Sequence, residues 1–320
     1  MFDIITIGSA TMDVFVNTDV KTLKIRTKKD NQEYISFPLG SKILIQELDH
    51  HTGGGGTNTA VTFAKSGLKT AFLGNIGEDH NGELILKELK QHKIKFLGKV
   101  HGKTGYSVIL DANNDRTALV YKGCNDKVPI EKNKVKRLKT KWFYIASVTE
   151  KMFSIAKEIS EKKANICFNP SSYMTKKGLT YLRPILKNTH CLILNSEEAK
   201  LLTNKADILE NLKLLKRKIV FDGIVVITAG KKGAYAYYDN KAYFLKANNI
   251  EVKESTGAGD AFASGFILGI IRNYSIDFSM KMGMVNAEHT IQKLGAKEGL
   301  LGKTIVHLAK ADERKVRVKW

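Results

Sequence analysis

The sequence predicts an α/β fold: a mostly parallel central sheet flanked by helices, with a small antiparallel β lid beside it. Three observations carry that expectation. From residue 142 onward, short apolar runs alternate with helical segments, the pattern of βαβ units that build a parallel sheet covered on both faces. At the start, IITI over 4–7 is a β-branched run that stops at Gly8-Ser9, as a buried strand entering a turn does. Two stretches, 14–50 and 98–122, instead alternate apolar and polar residues and interrupt the regular order.

In chain order, 34–37 and 42–48 read as short strands of the first alternating stretch, separated by polar turns. The glycines at 53–56 open a helix over 58–66 that Gly67 ends, and 70–73 is a strand stopped by Gly74. In the second stretch, between 105 and 121, Ala112-Asn113-Asn114-Asp115 reads as a hairpin turn. Strands follow at 142–146, 165–168, 191–194 and 223–228, with helices over 149–162, 197–202 and 208–218. The two alternating stretches combine into one small sheet. Its apolar face needs a ligand cleft or a partner subunit to cover it, so a lid is the inference. The expected division is a large α/β domain over 1–13, 51–97 and 123–320 and a lid over 14–50 and 98–122.

Composition narrows the function. The 320 residues are 43% hydrophobic, enough to bury a substantial core without disulfides or metals. No apolar run approaches the ~20 residues of a membrane-spanning helix, so no membrane partner is expected. Met1 leads into FDIITIGSA, without the features of a secretory signal, and Cys124, Cys167 and Cys191 form no CxxC pair. A cytoplasmic protein is the expectation. The net charge of +20 invites nucleic acid. Yet the basic clusters at 132–139, 213–218 and 314–319 are dispersed and carry no interleaved aromatics, so no specific nucleic-acid partner is expected.

The strongest chemical signal is Ser255-Thr256-Gly257-Ala258-Gly259-Asp260, followed by the apolar AFASGFILGII. Gly257 and Gly259 let the chain turn sharply at a helix start, so that successive N–H groups point at one spot and bind an anion. Asp260 is then either an acid that complements the helix dipole or a general base. In an anion nest a carboxylate repels phosphate unless it takes the proton of an attacking hydroxyl while the amides hold the developing charge. The base is the leading reading.

Other positions carry two readings each. GGGGTN at 53–58 lacks the Lys-Ser/Thr ending of a P-loop. Its bare backbone suits a polyhydroxylated ligand, with Asn58 as donor and acceptor, or it is a flexible turn. Asp13, five residues past Gly8, sits where an α/β crevice opens and accepts two hydroxyl hydrogens, or it is a surface aspartate. Asn195 and Glu198, directly after CLIL, form a capping box or order hydrated magnesium beside phosphates. TAGKKG at 228–233 is a tight connection that brushes a nucleotide or only reverses the chain.

Taken in order, these pieces resemble the ribokinase-like carbohydrate kinases, the PfkB family. They are GSATMD near the start, GGGGTN, GNIGEDHNG at 74–82, TG at 104–105, DRT at 115–117 and GCN at 123–125. Then come FNP at 168–170, NSEE at 195–198, TAGKKG, TGAGD at 256–260 and NAEHTIQKLGA at 286–296. The resemblance spans roughly 4–300. It implies a ribokinase-like fold and an ATP-dependent kinase that uses Mg2+ to phosphorylate a hydroxyl of a free sugar. A nucleoside kinase is the alternative; a sugar-phosphate kinase or a catalytically silent binding protein ranks lower. By the resemblance Asp260 is the catalytic base, with Gly257, Ala258 and Gly259 as the anion hole. Asp13, Gly54, Gly55 and Asn58 meet the substrate hydroxyls, and Asn195 and Glu198 lie near the metal. Thr228, Gly230, Gly233, Thr256 and Asn286 surround the nucleotide, and the lid often makes a homodimer.

Three positions bear on which member this is. Ser255 stands where many members have an aspartate that helps hold a monovalent cation, so potassium activation loses its usual ligand. Gly55 stands where ribokinases often carry lysine, which leaves ribose itself open. Asp79 in GNIGEDHNG resembles members acting on unphosphorylated sugars or nucleosides.

Overall fold

The computed structural model describes residues 1–17, 22–26, 31–112 and 115–319. Its centre is a ten-stranded sheet. From one edge the strands are Arg317–Lys319, Lys241–Leu245, Ala234–Tyr238, Ile224–Thr228, Cys191–Asn195, Asn165–Asn169, Thr140–Ala146, Phe2–Ile7, Thr70–Leu73 and Lys95–Phe96. From Ile224–Thr228 to Lys95–Phe96 every neighbouring pair is parallel; the other three strands join antiparallel at one edge.

The apolar runs form parallel strands because both of their faces are buried. Ile5, Ile7, Phe143, Ile145, Leu192, Leu194 and Val225 point into one core, with Ile155, Leu182, Leu202 and Leu212 from the helices on that side. Ile4, Tyr144, Ile193 and Val226 point the other way, onto Phe262, Phe266, Met280 and Ile305. Each such side chain is worth about 1.5–3 kcal/mol when fully buried. Beyond Asp260 in its first turn, the helix Ala258–Ile271 is apolar on nearly every side and packs against Ile276–Thr290. Its small residues permit the close approach: a Cβ on Gly265 would lie 2.6 Å from Met282 O. Among the described residues, no helix is long and apolar enough to cross a membrane, and Cys124, Cys167 and Cys191 are free and buried.

A second sheet has the order Asp115–Tyr121, Gly105–Ala112, Thr11–Asn17 and Glu47–Gly53. Its outer pairs are antiparallel and its central pair, with Asp13 beside Ser107, is parallel. The two central strands follow parallel strands of the large sheet, one after Phe2–Ile7 and one after Lys95–Phe96 by way of the short strand Lys99–Val100. They therefore run the same way. The reading of 42–48 as a strand is corrected: strand begins at Glu47 and continues to Gly53. Gln46 N still donates to Asn17 O at 2.9 Å, but the ladder does not extend further back, and Leu39 and Leu44 stand in solvent. The first alternating stretch also contains a separate ribbon, Thr22–Arg26 against Asn31–Ile35. Asn113-Asn114, the centre of the expected hairpin turn, lies outside the described residues; Ala112 and Asp115 on either side pair across the two strands.

Candidate active site

The parallel strands end on one edge, where Ser147, Asn169, Asn195 and Thr228 follow or close their strands. Open α/β sheets bind ligands outside that edge. A cleft of about 300 Å³ lies there, lined by these residues, by Ser171, Ser172 and Glu198, and by Ser255, Gly257, Gly259 and Asp260. The last four belong to the turn into the helix Ala258–Ile271 and its first turn.

Gly257 makes that turn possible. Its φ is 81°, a left-handed conformation that costs other residues about 1–2 kcal/mol, and a Cβ would stand 2.6 Å from Ala296 Cβ. A Cβ on Gly259 would meet open space, so the backbone there is bare toward the cleft. The N–H groups of a helix's first turn lack intrahelical acceptors and attract anions. Asp260 stands in that first turn. Asn58 Nδ2 donates to its Oδ2 at 2.8 Å across 202 residues of sequence. Burial raises the Asp260 pKa most, and the Asp13 charge adds to this; the Asn58 hydrogen bond and the Lys297 charge oppose it.

The helix Gly55–Lys65 brings Asn58 there. Gly54 caps it at φ 98°, and a Cβ on Gly55 would sit 3.3 Å from Asp260 Oδ1 and 3.0 Å from Ser147 Oγ. The bare backbone of GGGG is thus needed for two close approaches. Asn58 is buried, and among the described residues its Oδ1 has no hydrogen-bond partner. Such an atom costs about 1–3 kcal/mol unless a ligand or water donates to it.

Asp13 lies on the small sheet, not at its margin, and is 6% exposed. Its carboxylate rests on Gly53, where a Cβ would be 1.9 Å from Oδ2, and accepts from the Ser107 and Thr11 hydroxyls. Burial raises its pKa most, against those hydrogen bonds and the charges of Lys297 and His51. Asp13 on the small sheet and Asp260 in the first turn of its helix are therefore close enough for the one charge to act on the other.

Asn195 and Glu198 form a complete capping box: Asn195 Oδ1 accepts from Glu198 N at 2.8 Å, and Glu198 Oε2 from Asn195 N at 3.0 Å. Ser172 Oγ also donates to Glu198 Oε1 at 3.1 Å, and burial raises the Glu198 pKa. Both residues line the cleft while capping. Among the described residues no three His, Cys, Asp or Glu side chains cluster to cage a metal. Mg2+ needs no such cage, since it commonly takes one or two carboxylates and completes its shell with waters and phosphates. Glu198 at the cleft fits that donor set.

The nucleotide residues expected from the sequence divide. Thr228 lines the cleft. Gly230 and Gly233 shape the loop behind it; a Cβ on Gly233, at φ 116°, would be 2.1 Å from Leu245 O. Thr256 donates from N and Oγ1 to Glu254 Oε1, both at 2.7 Å. Asn286 is not in the cleft. It is fully buried, donating to Ala261 O at 2.7 Å and accepting from Leu301 N at 2.9 Å, and so fastens the helix of Asp260 to the 296–301 loop.

Sequence reasoning missed three residues. Ser147 lines the cleft in a left-handed conformation, φ 46°; its place just past an expected strand was the available signal. Glu254 is a buried carboxylate one residue before Ser255, where only Ser255 was weighed. Lys297 is buried in a chain whose lysines are mostly solvated, and nothing local in sequence distinguishes it.

The model of the pfkB family carbohydrate kinases matches residues 3–301. A ribokinase of Bacillus subtilis is 25% identical over 313 residues, covering 94% of this chain and 96% of that protein. In structure, a nucleoside kinase of Methanocaldococcus jannaschii superposes with a TM-score of 0.77 at 21% identity, covering 97% of this chain and 99% of that one. An Arabidopsis thaliana ribokinase complexed with ribose and ATP gives a TM-score of 0.77 at 18% identity, covering 97% and 99%. The fold is therefore ribokinase-like, and with a family match over nearly its whole length the chain belongs to the pfkB family of carbohydrate kinases, phosphotransferases that act on an alcohol group.

Proposed function

We propose that this chain transfers phosphoryl from ATP to a hydroxyl of a free sugar, with Asp260 as general base and the amides of Gly257, Ala258 and Gly259 as the anion hole. The observation that carries this reading is the Asp260 carboxylate held by Asn58 in the first turn of a helix whose glycine turn opens into the cleft. The substrate lies between that turn and Asp13, with the small sheet as a lid and the orphaned Asn58 Oδ1 accepting one of its hydroxyl hydrogens. Asp260 accepts the proton of the attacking hydroxyl as phosphoryl passes in line toward it. Phosphates of ATP lie toward Thr228 and Gly259, and Glu198 and Asn195 face the position of Mg2+, which when bound neutralises phosphate charge. Closing the lid excludes water, so ATP is not hydrolysed. The lid also offers an apolar edge, with Leu119 and Val120 exposed, through which two copies would pair.

A nucleoside acceptor is the second reading. Phe15 stands two residues from Asp13 on the same face of the small sheet, with its ring edge-on to His51 at 5.7 Å between centroids. An aromatic surface beside a hydroxyl-binding carboxylate suits a base.

The test is ADP release from ATP-Mg2+ with a panel of sugars, nucleosides and sugar phosphates, with Asp260→Asn as control. Turnover on free sugars that the control abolishes is the expected result. Turnover confined to nucleosides selects the second reading, and turnover undiminished by Asp260→Asn removes the base.

A further inference from the structure

Lys297 takes no part in the chemistry above. It is 6% exposed, and its Nζ donates to Glu88 Oε2 at 2.6 Å and to Thr52 Oγ1 at 3.1 Å. The two partners come from different elements, Glu88 from the helix His80–Gln91 and Thr52 from the small-sheet strand Glu47–Gly53. Burying an ammonium is costly unless it is paired and hydrogen-bonded, so its place needs a reason. The residue after Thr52 is Gly53, on which the Asp13 carboxylate rests. Lys297 therefore holds the backbone beneath Asp13.

Its charge also reaches the site. Around Asp260 the facing groups are Asn58, Asp13 and Lys297, with Glu198 and the buried Tyr144 in its field. Around Asp13 are Thr11, Ser107, His51 and Lys297. Around Lys297 are Glu88, Asp13 and Asp260, with His92 feeling its charge from beyond Glu88. Two carboxylates sharing one substrate oppose each other's ionisation. Lys297 is the cation that faces both.

We infer that Lys297 is a positioning residue of the phosphoryl-transfer site: it seats Thr52 and Gly53 beneath Asp13 and supplies the positive charge that lets Asp13 and Asp260 stand together around one substrate hydroxyl. This role rests on the kinase reading above. Glu88 offsets part of the charge, so the effect on each carboxylate is modest.

The experiment labels the aspartate carboxyl carbons of the full chain with 13C and follows their titration by NMR, with Asp13→Asn and Asp260→Asn to assign the two signals. In Lys297→Met and Lys297→Gln both midpoints move up by about 0.5–1 pH unit, the effect of removing one partly screened charge. Lys297→Arg restores both. Gln keeps an N–H donor for Glu88, so it decides the matter should the Met variant fail to fold. In turnover the acceptor KM rises about tenfold with the ATP KM unchanged, the loss expected for one positioned carboxylate. Midpoints that stay in place in Lys297→Gln overturn the inference, whatever happens to activity. The titration needs no acceptor, so a chain that turns over nothing overturns the kinase reading and leaves this test standing.

Discussion

Asp260→Asn separates catalysis from stability more sharply than any other single change. Asn is nearly isosteric, and its Oδ1 still accepts from Asn58 Nδ2, so the 2.8 Å hydrogen bond and the helix start survive. What disappears is the proposed base. General-base loss costs ~100-fold or more in kcat, about 2.7 kcal/mol of barrier at 1.36 kcal/mol per tenfold. Stability moves the other way. Burial and Asp13 raise the folded-state pKa of Asp260, so its ionisation at neutral pH opposes folding. A group with a raised folded pKa contributes stability that is fully present below its unfolded pKa and is lost as pH rises through the folded one. Removing the charge therefore raises Tm at pH 7, and the gain vanishes below about pH 4, where wild-type Asp260 is protonated in both states. The assays are steady-state ADP release and thermal melts at pH 7 and pH 3.5. Turnover within tenfold of wild type refutes the base; a lower Tm at pH 7 with an unchanged one at pH 3.5 refutes the electrostatic account.

Three further outcomes follow from the same geometry. The acid limb of kcat/KM falls at a higher pH than an ordinary aspartate gives, because burial raises Asp260; a profile flat down to pH 4 contradicts this. Asn286→Ala leaves Ala261 O and Leu301 N without their buried partner and lowers stability by about 2–4 kcal/mol, read by denaturant melts, while ATP affinity stays within about threefold. A large loss of ATP affinity with unchanged stability would return Asn286 to the nucleotide. Glu198→Gln keeps an acceptor for Asn195 N, so the melt barely moves; the Mg2+ concentration for half-maximal turnover rises about tenfold if the carboxylate faces the metal, and an unmoved Mg2+ curve leaves it a cap alone.

Much of this protein is determined by sequence alone, wherever the physics is local. A run such as IITI or GIVVI must be buried on both faces, so the parallel sheet follows from composition over a few residues. Gly257 and Gly259 before Asp260 announce a turn into a helix, because no other residues expose that backbone, and the capping box of Asn195 and Glu198 is written in a four-residue window. The alternating stretches announce a half-buried sheet. Tertiary structure decided whatever depends on partners far along the chain. KILIQ at 42–46 alternates as a strand does, yet the strand beside Thr11–Asn17 begins only at Glu47. Asn286, which the family resemblance places beside the nucleotide, is sealed by two buried hydrogen bonds. Asn58 meets Asp260 only because two helices start side by side, and Lys297 becomes unlike the other lysines only when Glu88, Thr52 and the two aspartates close around it. Burial and charge are properties of the assembled neighbourhood, and no window of sequence contains that neighbourhood.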